Sequence, residues 1–140
     1  MIVVDTGALV AAKDEDHVDH RRIAEFLATC HEDLLLSPLV IAETDYLLNT
    51  RLGQNAAQEF LDEVASEVFE LVPLDHGDIA AAAGICRRYE DMNIGITDAS
   101  LVVIASRYST TRVLSLDQRH FRVIQPLWGA PAFELLPYDN

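Results

Sequence analysis

The chain predicts an α/β fold with a central, mostly parallel sheet covered by helices on both faces. Short apolar runs recur at Ile2-Val3-Val4, Leu34-Leu35-Leu36, Val68 to Leu74 and Val113 to Leu116, each of strand length and bounded by turn or cap residues. Between them lie segments whose apolar residues fall at helical spacing. Strands that alternate with helices need crossovers returning each strand to the same end, and the resulting parallel sheet is buried on both faces.

The first strand ends at Asp5, and Thr6-Gly7 opens a turn into a short helix over Ala8-Leu9-Val10-Ala11-Ala12. After the acidic loop Asp14-Glu15-Asp16, a helix carries Val18, Ile23, Phe26 and Leu27, with Asp16 as its cap. Leu34 to Leu36 form the second strand. Ser37-Pro38 then starts a helix, the serine capping it and the proline already holding a helical backbone angle. That helix runs out near Arg51-Leu52-Gly53, where glycine can take a left-handed conformation. Asn55 to about Glu67 is amphipathic on Ala56, Phe60, Leu61 and Val64, and Val68 to Leu74 is a third strand ending at Pro73. Asp78 to about Glu90 is an alanine-rich helix with small faces that permit close packing. A second helix follows at once, from Asp98 through the run Ala99 to Ala105, before the strand Val113 to Leu116. Phe121 to Ile124 and Phe133 to Leu136 read as short closing strands or an extended tail.

Composition narrows the class. With 140 residues, 50% hydrophobic and 24% charged, the chain suits a single domain over residues 1–140 and is not a disordered tail. Its apolar runs are too short to cross a membrane, its start has no basic segment or apolar signal core, and Cys30 and Cys86 show no metal or redox spacing. A cytoplasmic protein is expected. Acidic residues outnumber basic ones 23 to 10, giving a formal net charge of −13, and Lys13 is the only lysine. Such a field repels phosphate backbones, so a nucleic-acid substrate needs a local arginine-lined path or bridging cations. The arginines at Arg21-Arg22, Arg87-Arg88, Arg107 with Arg112, and Arg119 with Arg122 read first as solvated helix faces.

Four carboxylates stand where this fold could gather them. Asp5 and Asp117 end strands, and sites in parallel sheets form beyond the carboxyl ends of strands. Asp98 lies in the first turn of its helix, where the backbone dipole favours an anion. Glu43 lies inside a helix, on a stripe with Leu39, Val40, Tyr46 and Leu47, so its charge needs a partner. Bare carboxylates brought together repel, and a hard divalent cation such as Mg²⁺ or Mn²⁺ relieves this through oxygen ligands. Thr6, Thr97 and Ser115 each adjoin one of these regions and could orient carboxylates as a second shell. Singly, each residue has a plainer reading: a turn aspartate, an ion-paired helix glutamate, or Thr97 as an N-cap. His17, His20, His31, His76 and His120 read as surface or capping residues, because none completes a zinc pattern.

The segments VVDTGALV, LSPLVIAETDYLL, GITDASLVVIA and VLSLDQRHFRVIQP resemble, in order and over essentially the whole chain, the PIN-domain family, more narrowly VapC-type toxins of type II toxin–antitoxin pairs. The resemblance implies a three-layer α/β/α domain and Mg²⁺- or Mn²⁺-dependent endoribonuclease activity on RNA. It also implies frequent homodimerisation and inhibition by a small VapB-type antitoxin whose tail enters an acidic groove. Asp5, Glu43 and Asp98 then correspond to the family's central metal-binding, catalytic acids, and Asp117 to the more variable fourth. Ser115 fills a position where threonine is also usual. Within enzymes the alternative is a PIN-type nuclease of RNA maturation, and the compact chain favours the toxin. A phosphoacceptor signalling domain would want an acidic pair after the first strand and a late lysine, whereas Asp5 is single and Lys13 comes early. A non-catalytic metal- or partner-binding module is the remaining class.

Overall fold

The computed structural model describes residues 1–139. Its strands are β1 (Ile2–Val4), β2 (Leu34–Leu36), β3 (Glu70–Leu71), β4 (Arg112–Leu114) and β5 (Glu134–Leu136). They form one sheet in the order β3-β2-β1-β4-β5, every neighbouring pair parallel. The helices are α1 (Thr6–Lys13), α2 (His20–Thr29), α3 (Pro38–Leu52), α4 (Gln54–Ala65), α5 (His76–Arg88), α6 (Ile96–Arg107) and α7 (Gln118–Phe121). In sequence β1, β2 and β3 step one way across the sheet and β4 and β5 the other. Right-handed crossovers therefore place α1 to α4 on one face and α5 with α6 on the other. The packing agrees: α1 lies on α2 and α3, α3 on α4, and α5 on α6.

Burial follows from this layering. Val3 pairs with Leu35 on one side and Val113 on the other, and all three are wholly buried. In α6 every residue from Ala99 to Ala105 is buried, so this helix is a core element rather than an amphipathic cover. Lys13 bonds Glu59 at 2.9 Å and also Glu63, tying α1 to α4 with the chain's only lysine.

Several sequence expectations are revised. Gly7 is helical, because α1 begins directly at Thr6 with Asp5 as its cap. Asp16 does not cap α2. The Asp14 carboxylate takes the Asp16 N–H, successive turns follow, and the helix starts only at His20, leaving Val18 92% exposed. Ser37 caps α3 as expected. Gly53 at its end adopts φ +101°, a region costly for side-chain-bearing residues, and α4 starts immediately after. The third strand shrinks to two residues at the sheet edge. Phe121 to Ile124 is not a strand: Asp117 accepts the His120 N–H, the chain coils into α7, and Phe121 meets Phe133 edge-on at 6.0 Å. The last strand, β5, does form, pairing in parallel with β4.

Close packing of α5 relies on small side chains at its buried face, where Ala82 is 1% exposed. Ala82→Leu is expected to destabilise by roughly 1–3 kcal/mol through overpacking. Ala80→Leu, at an exposed position of the same helix, should stay within about 0.5 kcal/mol of the parent. Urea titrations of both variants check this, and equal stability of the two would contradict the packing.

Candidate functional site

The direction of strand order reverses between β1 and β4, so the segments leaving them diverge and open a crevice beyond their carboxyl ends. Asp5 leaves β1 on one side of that crevice, and Ser115 to Asp117 leave β4 on the other. The ladder holds both just past the strands: the Asp5 N–H donates to Leu114 O at 3.0 Å, and the Ser115 N–H to Leu136 O at 3.1 Å. Strand β4 thus ends at Leu114, earlier than the sequence suggests, and Asp117 is the cap of α7 rather than a strand end.

A chain of hydrogen bonds joins three of the acids. Asp5 is 6% exposed; its Oδ1 accepts the Thr6 N–H at 2.7 Å and its Oδ2 accepts the Ser115 hydroxyl at 2.7 Å. The same Ser115 oxygen accepts the Asp117 N–H at 3.0 Å. Asp117 Oδ1 in turn accepts the His120 N–H at 3.0 Å. The His120 ring closes the chain: Nδ1 lies 3.0 Å from Asp98 Oδ2 and 2.9 Å from Asp117 Oδ2.

Glu43 joins from α3. It is exposed rather than part of an apolar stripe, because Val40, Thr44 and Leu48 are the residues that α3 turns into the core, while Tyr46 is 67% exposed. The four acids line one cleft of about 520 Å³, together with His17, Asp19, Leu47 and Arg51. The expected second-shell residues divide. Ser115 orients Asp5 and Asp117 through its hydroxyl. Thr6 holds Asp5 through its backbone, and its own hydroxyl is buried without a partner. Thr97 is neither cap nor support: Gly95 caps α6, and Thr97 contributes its carbonyl to the Ser100 hydroxyl.

The electrostatics are those of crowded acids. Burial, with the nearby Asp98 charge second, pushes Asp5 up from 3.8 to about 7, although its hydrogen bonds from Ser115 and Thr6 oppose the rise. Asp98 is also raised, chiefly by burial, with the His120 bond pulling the other way. A divalent cation suits this setting, since Asp98, Asp117 and His120 offer ligand atoms within 4.8 Å of one another and the carboxylates of Asp5 and Glu43 line the same cleft. Asp5, Glu43, Asp98 and Asp117 could hold such an ion.

The family model for the PIN domain matches residues 2–125. The chain belongs to the PIN-domain family. Ribonuclease VapC26 of Mycobacterium tuberculosis is 40% identical to this PIN domain over 136 residues, 97% of this chain and 100% of that protein. Among solved structures, VapC20 of M. tuberculosis, a Sarcin-Ricin loop cleaving toxin, superposes with a TM-score of 0.80 at 20% identity, covering 84% of this chain and 91% of that one. VapBC2 from Rickettsia felis, bound to a DNA fragment from their promoter, superposes with a TM-score of 0.67 at 19% identity, covering 96% and 98%. These structural likenesses concern the fold alone. No helix among the described residues of this PIN domain is long and apolar enough to cross a membrane.

His120, Asp19 and Arg51 were not among the expected site residues. The Asp117-x-x-His120 spacing was the available signal for His120, since a capping aspartate brings the residue three positions on beneath it. Arg51 follows Glu43 and Leu47 at four-residue steps, which puts all three on one line of α3. Asp19 had no such signal.

In chelator, the raised Asp5 sets a pH dependence of stability for this PIN domain. The group favours folding while protonated, so its contribution is present below about pH 4 and is lost as pH rises through about 7. Stability in EDTA is therefore expected to fall between pH 5 and 7.5, well above the range of Asp139, which Arg122 draws down to about 2. Asp98→Asn removes a charge that raises Asp5 and should increase the melting temperature in EDTA at pH 7.5. Thermal melts across this range check both, and a parent curve that rises with pH would contradict the crowding.

Proposed function

We propose that this PIN domain is the endoribonuclease toxin of a type II toxin–antitoxin pair, hydrolysing RNA phosphodiester bonds at its acidic cleft with Mg²⁺ or Mn²⁺ bound. The observation that carries the reading is the convergence of Asp5, Glu43, Asp98 and Asp117 on one cleft at the sheet's reversal point. Its likeness over nearly its whole length to Ribonuclease VapC26 supports the substrate class, and the VapBC2 structure supports a partner antitoxin of the VapB type. The chain then works as one domain over residues 1–140 in the cytoplasm, as a homodimer restrained by that antitoxin.

Asp5, Glu43, Asp98 and Asp117 would hold the ion, which when bound makes water a nucleophile at neutral pH and offsets charge on the attacked phosphate. The remaining work belongs to the side chains. Ser115 fixes Asp5 and Asp117 relative to each other, and His120 holds Asp98 and Asp117 together against their repulsion. Among the described residues Glu43 has no side-chain hydrogen bond, so its carboxylate is the one in the cleft not already committed to a neighbour.

Purified protein should cut a structured RNA with Mg²⁺ or Mn²⁺, stop in excess chelator, and lose more than about 100-fold in rate on Asp98→Asn. Gel-based cleavage assays read this. Full-rate cleavage in chelator, or by the Asp98→Asn protein, would contradict the proposal.

A further inference from the structure

The ten cationic side chains of this chain are mostly spent on its own surface. Lys13 pairs with Glu59 and Glu63, Arg21 with Glu25, Arg107 with Asp78, Arg112 with Glu32 and Glu134, and Arg122 with Asp139. Arg22 and Arg88 lie over the rings of Tyr138 and Tyr89. Arg51, Arg87 and Arg119 have no such partner among the described residues, and of these three Arg51 alone lines the acidic cleft.

That placement is informative. Asp5, Asp19, Glu43, Asp98 and Asp117 line the same cleft, yet Arg51 is within ion-pairing distance of none of them. Its position in the last turn of α3 has a plain helix-dipole benefit, worth only about 0.3–1 kcal/mol, which any outward-pointing arginine there would gain equally. The four-residue steps from Glu43 through Leu47 to Arg51 instead aim it along the cleft wall. Eight residues at the helical rise carry it roughly 12 Å along the axis from Glu43.

We propose that Arg51 is a phosphate-binding residue of the cleft, taking a phosphodiester that flanks the scissile one in the RNA strand. The inference rests on the proposed RNA cleavage and adds to it the charge that seats the strand. A guanidinium offers paired donors in a plane that matches two phosphate oxygens, and it stays charged throughout the working pH range. In a protein of net charge −13, one cation at the cleft matters because the remote field gives the substrate no attraction. Arg51 is a positioning residue: it grips the strand and does not touch the reacting atoms.

Steady-state cleavage of a labelled single-stranded RNA oligonucleotide, with saturating Mg²⁺ or Mn²⁺ and several NaCl concentrations, tests this in the parent, Arg51→Gln and Arg51→Lys. Arg51→Gln should raise KM about tenfold or more with kcat within about twofold, since a hydrogen bond to a charged group is lost from binding. The fall of log kcat/KM with log salt should become shallower by about 0.7, the value for one phosphate contact on a single strand. Arg51→Lys should keep the parent salt slope and recover most of kcat/KM. The rise in melting temperature given by the metal alone should be the same in all three proteins. A parent that cuts RNA while Arg51→Gln keeps its KM and salt slope overturns the role of Arg51 and leaves the nuclease reading intact. A loss confined to kcat also overturns it. A parent that cuts no RNA overturns both readings.

Discussion

The burial of Asp5 and the crowding of three further carboxylates at the same cleft are the constraint around which this molecule is organised. The parallel sheet delivers Asp5 and Asp117 to its reversal point, α6 adds Asp98, and α3 adds Glu43. The fold offers partial relief. Asp5 caps α1 and Asp98 lies in the first turn of α6, where helix dipoles favour anions by about 0.3–1 kcal/mol each. Moving Asp5 from 3.8 to about 7 corresponds to a cost on the order of 4 kcal/mol for its charged form. The dipoles are too weak to offset that. The rest would fall to a cation, either a proton on Asp5 or a divalent ion.

The same constraint explains how so acidic a chain can meet RNA. With most of its arginines committed to carboxylates or aromatic rings, the protein has no broad basic surface to collect nucleic acid. On the proposed function, attraction centres on the cleft, where the acids would present an ion and Arg51, alone among the three arginines unpaired within the described residues, lines the wall. Binding built this way depends on a few phosphates, and its response to salt is correspondingly shallow.

The α/β class and its parallel sheet could be read from the sequence because buried strands leave uninterrupted apolar runs, and Asp5, Asp98 and Asp117 stand out at the ends of such runs. Glu43 could be located but not its surroundings. Periodicity alone could not say which side of α3 faces the core, and Val40, Thr44 and Leu48 turn out to define it. The region after β4 misled for a different reason. Phe121 to Ile124 is as apolar as a strand, but one capping bond from Asp117 coils it, and that coil carries His120 to Asp98. Contacts made by a cap, or by a residue two turns away such as Arg51, depend on geometry that composition and spacing do not encode. The hydroxyls of Thr6 and Thr97 show the converse, since adjacency in sequence suggested support that the main chain or other groups provide.

If the acids form one cation-binding cluster whose charge is otherwise held down by a proton on Asp5, an incoming metal ion must displace that proton. Calorimetric titration of chelator-treated protein with Mg²⁺ or Mn²⁺ at pH 7, repeated in buffers of different ionisation enthalpy, measures protons released per ion bound. With Asp5 near half-protonated at that pH, binding should release about half a proton, more at pH 6 and little at pH 8.5. The Asp5→Asn protein should bind weakly and release none from this position. Tight metal binding without proton release at pH 6 and 7, or equal release by Asp5→Asn, would contradict the account.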